Sequence, residues 1–359
     1  MDESRQKRKV SEWVEDLKRM NSWVIGVDLG GQSIRAAWVS SEGEMFGALK
    51  TQTKAEAESS EAFGRIHSLV QELLDQPPEL GMKPLGIGFG IPGLIDLGSG
   101  RLWESPHFPA WKNLNLTEIL KAKFSEPVFV DNDANVAALG EKLFGSCHPF
   151  ENFLYCTLGT GIGGALFLNG DLYRGSSGLA GEIGHTTVDP LGPSEVTGNS
   201  GSVELYASAS GLNRALAELR TTDPSLNAFS IRDLYQKYKK NQSLQSQQSI
   251  KKIFDRMGEA LGIVFANTVN LLDLEAICVA GGLTHAWEAF GPTALRVMRE
   301  RSFVARLNRV KLFCTSLNRN ESFIEAGVIG AASLAFLGSL RRAQGFQVDS
   351  GLQGPSLSS

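Results

Sequence analysis

This chain lacks most of what would mark a secreted, membrane or nucleic-acid-binding protein. Its 359 residues hold only four cysteines, Cys147, Cys156, Cys278 and Cys314. They are scattered, with neither the paired spacing of a zinc site nor the density of a disulfide framework. Cys156 and Cys278 fall inside apolar, strand-like runs and read as buried, reduced thiols. No apolar run reaches the roughly eighteen residues of a membrane span, and no signal-peptide pattern is present, so the cytoplasm is the expected compartment. An excess of one charge is missing too. Lys and Arg total 35 against 39 Asp and Glu, a net charge of −4 that gives no basic field for DNA or a lipid surface. There is no Walker A lysine pattern, and no Rossmann glycine fingerprint between a strand and a helix. What is present is a globular composition, 42% hydrophobic and 21% charged. It suits one large or two moderate domains able to bury a core without staples.

Glycine is where the chain becomes informative. Gly159-Thr160-Gly161-Ile162-Gly163-Gly164 lies between the apolar runs 153–158 and 165–168 and reads as the turn of a β-hairpin. Without Cβ atoms there, an anion can approach the backbone N–H groups closely. Some twenty residues on, Glu182 and His185 place a carboxylate and an imidazole three positions apart. A second turn, Asp28-Leu29-Gly30-Gly31-Gln32-Ser33, separates strand-like Trp23–Val27 from Ile34–Val39. Alone it is equally a plain turn, since Asp and Gly favour turns anyway. The recurrence of strand–turn–strand suggests two similar α/β halves with a cleft between them. Two such loops can share the phosphates of one nucleotide, with Asp28 holding Mg²⁺ directly or through water.

Asp131-Asn132-Asp133-Ala134-Asn135 joins a strand (128–130) to a helix from about Ala134 to Phe144. One Asp could simply cap that helix. Four polar residues in five exceed a cap's needs, and a carboxylate at a strand's C-terminal end is where α/β domains bind ligands. Ser105–Trp111 is an aromatic and proline loop that either walls a pocket or packs. Helical spacing covers 58–76 and 251–272, and a strand at 275–280 ends in Gly281-Gly282. Residues 1–21 hold at best a short amphipathic helix around Val10, Trp13, Val14 and Leu17. The polar stretch 222–250 reads as a peripheral insertion. The expected organisation is an N-terminal extension (1–22), a small α/β domain (23–136), a large α/β domain (137–342) and a disordered tail (343–359). Part of the C-terminal helix is expected to pack back on the small domain.

Taken in order, Val27-Asp28-Leu29-Gly30-Gly31, Gly88–Gly93, Asn132–Asn135, Gly159–Gly164, Gly181–Pro190 and Val279–Gly282 resemble the ROK family (repressors, open reading frames and sugar kinases). The resemblance spans about 23–340. It implies a two-domain α/β sugar-kinase architecture of the actin-like ATPase (ribonuclease H-like) fold. It also implies Asp133 as the general base, with Asn132, Glu182, His185, Glu204 and Gly93 on the sugar side. Gly30, Gly31, Gln32, Ser33, Gly159, Thr160 and Gly161 match its phosphate loops, and Gly281 and Gly282 its nucleoside side. ATP and Mg²⁺ follow as cofactors, and a homodimer as the assembly. The activity implied is an ATP-dependent hexose kinase making a sugar 6-phosphate, with glucokinase first. The alternatives are a kinase for mannose, fructose, N-acetylmannosamine or another N-acetylhexosamine, or a non-catalytic sugar-sensing regulator. Only about 22 residues precede the first strand, too few for the helix-turn-helix of the family's repressors. The basic cluster Arg5-Lys7-Arg8-Lys9 reads as a solvated face, with no nucleic-acid or membrane partner expected.

Three positions depart from the family's pattern. Where relatives carry three zinc-binding cysteines beside the histidine, this chain has Glu195, Thr197 and Ser202, so no zinc is expected. Gln32 replaces a threonine at the phosphates, and His107 stands where many relatives have asparagine.

Overall fold

The structure, a computed structural model, describes residues 9–54, 56, 58–105, 107–195, 198–239, 247–307, 309–317 and 324–344. Arg5, Lys7 and Arg8, Thr197, and the tail beyond 344 lie outside the described residues. The chain divides into two compact units. One comprises Met1–Glu151, Ala165–Ala180 and Ser316–Ser359, the other Asn152–Gly164 and Gly181–Thr315.

The first unit opens with α1 (Val10–Arg19), then β1 (Trp23–Leu29), β2 (Ser33–Ser40), β3 (Met45–Gln52) and α2 (Ser59–Asp75). It continues through β4 (Ile87–Ile91), β5 (Leu94–Asp96), β6 (Arg101–Glu104), β7 (Lys112–Asn115), α3 (Leu116–Lys121), β8 (Val128–Asn132) and α4 (Asp133–Phe144). Next come β9 (Phe153–Leu158), β10 (Ile162–Leu168) and β11 (Asp171–Tyr173), with β9 and the start of β10 belonging to the second unit. The second unit carries α5 (Glu204–Ala207), α6 (Ala209–Thr222), α7 (Ile231–Lys239), α8 (Gln247–Leu272), β12 (Ala276–Ala280), α9 (Trp287–Arg301) and β13 (Lys311–Cys314). The last helix, α10 (Ile324–Ala343), returns to the first unit.

The first unit's main sheet has the order β3-β2-β1-β4-β8. β1 to β3 are antiparallel, while β1, β4 and β8 run parallel and are buried on both faces. Gly26 on β1 and Gly88 on β4 explain how α10 reaches this sheet. A Cβ on Gly26 would lie 2.1 Å from the Val328 carbonyl oxygen, and one on Gly88 1.8 Å from that of Ala331. The helix backbone thus rests almost directly on the strands, which only residues without a side chain permit. On α2, Phe63, Ile66, Val70 and Leu73 repeat at helical spacing and bury one face of that helix. The Trp38 indole N–H donates to the Leu73 carbonyl at 2.8 Å. Val10, Trp13 and Leu17 are at most 2% exposed, so α1 buries its apolar stripe within the unit.

In the second unit β9, β12 and β13 run parallel, with β12 between the other two. α8 and α9 pack closely along their lengths. The stretch expected as an insertion holds the end of α6, a short 3₁₀ segment and α7, up to the undescribed 240–246. Among the described residues no helix is long and apolar enough to cross a membrane. Cys147, Cys156 and Cys278 are buried free thiols, and burial pushes Cys156 up to about 12.

Candidate active site

In the first unit the glycine turn is shorter than its sequence suggests. Asp28 and Leu29 are paired residues of β1, opposite Arg35 and Ile34, so only 30–32 form the turn. The Gly30 N–H donates to the Ser33 carbonyl at 2.9 Å. Thr53, fully buried just past β3, holds the turn from behind. Its hydroxyl donates to the Gly30 carbonyl at 2.6 Å, and its N–H to the Gln32 carbonyl at 3.1 Å. This register puts the Arg35 guanidinium 3.6 Å from the Asp28 carboxylate. Burial nevertheless lifts the Asp28 carboxyl to about 6, against the pull of Arg35 and with an added push from Asp133. Asp28 is therefore a carboxylate short of positive charge, a setting that fits a cation.

β8 passes into α4 without a loop, and Asn132 caps the helix rather than either aspartate. Its Oδ1 accepts from the N–H groups of Ala134 (2.9 Å) and Asn135 (3.4 Å), and its Nδ2 donates to the Gly93 carbonyl at 3.2 Å. Asp131 is structural. Its buried carboxylate accepts from the Asn132 N–H at 2.8 Å and Asn135 Nδ2 at 2.9 Å. On its other oxygen it accepts from Arg174 through Nε at 3.0 Å and Nη2 at 2.7 Å. That network fixes the frame from which Asp133 projects. Burial raises the Asp133 carboxyl, while His107 first, then hydrogen bonds from the helix start and Asn132, lower it.

Sequence reasoning missed Thr53, Arg35 and Arg174. Hairpin pairing, counted back from a three-residue turn, would have placed Arg35 opposite Asp28. Nothing local points to Thr53 or Arg174, whose partners lie 23 and 43 residues away.

In the second unit the turn Gly159–Gly161 closes with the Gly159 N–H donating to the Gly161 carbonyl at 2.9 Å. The start of α6 ties it down. The Ala209 N–H donates to the Gly159 carbonyl at 2.9 Å, and the Ser210 hydroxyl to the Thr160 carbonyl at 2.9 Å. Glu204 meets the same turn, its Oε2 accepting from the Ile162 N–H at 2.7 Å. Glu182 precedes the 3₁₀ turn Ile183–His185. The His185 Nδ1 lies 3.1 Å from Glu195 Oε2, and Asn199 donates to the His185 carbonyl at 2.6 Å. Bridges pair Thr187 with Ser202 and Ser194 with Ser200. The loop at the expected zinc position is thus joined by imidazole, carboxylate, amide and hydroxyl groups. That donor set, without a thiolate, does not fit a structural zinc. Gly281, just past β12, has φ +89°, and Gly282 follows it in open space.

The fold and these turns define an α/β protein of the actin-like ATPase class. The model of the ROK family matches residues 24–336, and the chain belongs to that family. It is 32% identical over 318 residues to a glucokinase of Thermotoga maritima, covering 87% of this chain and 96% of the relative. It is 27% identical to a putative xylose repressor of a Caldicellulosiruptor species, over 82% of this chain and 74% of the repressor. The solved structure of a ROK family glucokinase from Streptomyces griseus in complex with glucose and AMPPNP matches with a TM-score of 0.73 at 25% identity. That match covers 88% of this chain and all (100%) of the solved one.

Proposed function

We propose that this chain is an ATP-dependent hexose kinase, with glucose as its acceptor, transferring the terminal phosphoryl group to the sugar 6-hydroxyl. The observation that carries the reading is Asp133. It stands at the first position of α4, its carboxyl raised by burial and drawn back by His107 and the helix start. A carboxylate tuned between those pulls is suited to take a proton from a hydroxyl, a role contributing on the order of 10²–10⁴ in rate. Asn132, Gly93, Glu182, His185 and Glu204 supply the hydrogen-bonding groups for sugar hydroxyls. Each such group left unpaired penalises the wrong sugar. The turns Gly30–Ser33 and Gly159–Gly161 offer backbone to the phosphates, and Gly281 and Gly282 the same to the nucleoside side. Asp28 would hold Mg²⁺, directly or through water, and that ion, when bound, neutralises phosphate charge. No zinc takes part.

The test is coupled ADP release with glucose, mannose, fructose, N-acetylglucosamine and N-acetylmannosamine, comparing the natural chain with Asp133→Asn. Turnover with glucose, lost by at least ~10²-fold in the variant, is the expected result. Absence of turnover with every sugar would overturn the reading. The similarity to xylose repressors supplies the competing one, which sequence-specific DNA binding in a gel shift would support.

A further inference from the structure

α5 is only four residues long, and a helix of one turn is too short to hold itself in place. Yet it carries Glu204, whose carboxylate lies against the second unit's glycine turn. Glu204 Oε2 accepts from the Ile162 N–H at 2.7 Å, and a Cβ on Gly161 would lie 2.5 Å from the same oxygen. Oε1 has no hydrogen-bond partner among the described residues, which leaves it for a sugar hydroxyl. Whatever fixes α5 therefore fixes that oxygen.

Two residues further along α5, Tyr206 is tied to a firm support. Its hydroxyl donates to Asp189 Oδ2 at 3.0 Å, and Arg256 Nη2, on α8, donates to the same oxygen at 2.8 Å. The guanidinium carbon lies 4.8 Å from the centre of the Tyr206 ring, so Arg256 grips both the ring face and the acceptor of its hydroxyl. The other Asp189 oxygen, Oδ1, accepts from the Leu191 N–H at 3.2 Å. The main chain of Asp189 is pinned as well. Its N–H donates to the Gly201 carbonyl at 3.2 Å, and its own carbonyl accepts from the Gly192 N–H at 2.8 Å. A Cβ on Gly201 would lie 1.6 Å from that carbonyl oxygen, so the strand leading into α5 rests directly on Asp189. α8 is a rigid base for Arg256, since Phe254 and Met257 on either side of it are at most 2% exposed.

We propose that Arg256, Asp189 and Tyr206 are positioning residues for the hexose, fixing α5 so that Glu204 stands at the glycine turn with Oε1 free for a sugar hydroxyl. The role rests on the sugar side of the kinase reading. Each of the three acts through Glu204 and makes no contact with the sugar itself. The side chains of Arg256 and Asp189 are 56% and 34% exposed, so solvent screens their pairing. The expected effect is a factor of about 3–10 rather than about 10². A group aligned for the bound sugar before and during phosphoryl transfer changes affinity and leaves the chemical step alone.

Hexose binding and turnover in four variants separate positioning from stability alone. Tyr206→Phe removes only the hydroxyl, Arg256→Ala removes the guanidinium, Arg256→Lys returns a charge, and the fourth combines Tyr206→Phe with Arg256→Ala. Each is measured with glucose, or with whichever hexose of the panel above the natural chain binds best. Tyr206→Phe and Arg256→Ala should each raise the hexose KM, and the hexose Kd from titration calorimetry, about 3–10-fold. kcat and the KM for ATP should move less than about twofold. Arg256→Lys should recover part of the loss. Both single changes act on one Asp189 oxygen, so the double variant should bind hexose no more than about twofold worse than the weaker single variant. An unchanged hexose Kd in Tyr206→Phe and Arg256→Ala, with only the melting temperature lowered, would overturn the proposal. So would a rise shared equally by ATP, or penalties that multiply in the double variant. If Arg256→Ala fails to fold, Tyr206→Phe and Arg256→Lys still carry the comparison. A natural chain that binds hexose without releasing ADP would overturn the kinase reading and leave the Kd comparison to decide this proposal. One that binds no hexose would overturn both.

Discussion

Replacing Asp28 with asparagine should stabilise the folded chain at neutral pH. Burial raises the Asp28 carboxyl from 3.8 to about 6 even with Arg35 nearby. A folded-state pKa above the unfolded one means that the fold prefers the protonated form. Any stability tied to this group is therefore fully present below about pH 4 and is lost as pH rises through about 6. By pH 7.5 the ionised carboxylate costs about 3 kcal/mol. Its side chain is only 15% exposed, so solvent screening takes little of that back. Asparagine removes that charge, and the pull of Arg35 at 3.6 Å is already contained in the value of about 6. The expectation is a gain of about 3 kcal/mol at pH 7.5, shrinking to about 1 kcal/mol near pH 4.5. Urea unfolding followed by tryptophan fluorescence reads this in the unit concerned, because Trp38 and Trp111 are both buried there. A variant less stable than the natural chain at pH 7.5 would refute the reasoning. So would a gain that does not change with pH.

Arg174→Ala should cost about 3 kcal/mol in the same unfolding assay, because it strips two hydrogen bonds from the buried Asp131 carboxylate. Arg174→Lys should recover less than half of that, a single ammonium being unable to match the two-pronged contact. Gly88→Ala should abolish soluble expression, since its methyl group would meet the α10 backbone at 1.8 Å. Emission spectrometry on protein purified without chelators should find zinc well below one ion per chain. Added chelator should leave the melting temperature unchanged, and a stoichiometric metal would sink the zinc-free reading.

Periodicity carried much of the fold. The stripe Phe63, Ile66, Leu69, Val70 and Leu73 marks α2 to within a residue at each end, while the spacing over 251–272 marks the end of α8 but not its first turn, which begins at Gln247. Glycine and polar clusters located the turns but not their limits. Asp28 looked like a turn residue because Asp and Gly favour turns, yet cross-strand pairing with Arg35 keeps it in β1. At the β8–α4 junction Asn132 won the cap over the neighbouring aspartates. Asp131 is turned away by Asn135 and by Arg174, and the latter contact lies in no local window. The supports of the glycine turns, Thr53 and Ser210, were illegible for the same reason. A hydroxyl reaching a carbonyl 23 or 50 residues away leaves no trace in spacing.

The path of the chain through the first unit has a consequence for how that unit is made. Its sheet is complete once β8 has formed, but the glycine faces of β1 and β4 stay uncovered until α10 arrives, after Asn152–Gly164 and Gly181–Thr315 have been synthesised. At typical elongation rates the nascent chain carries that open surface for roughly 10–40 s. The second unit, whose pieces are nearly contiguous, can mature first. The N-terminal half of the polypeptide is thus the last to reach its native state, and a ribosome stalled before Ile324 would release a chain with an exposed sheet for chaperones or proteases to claim.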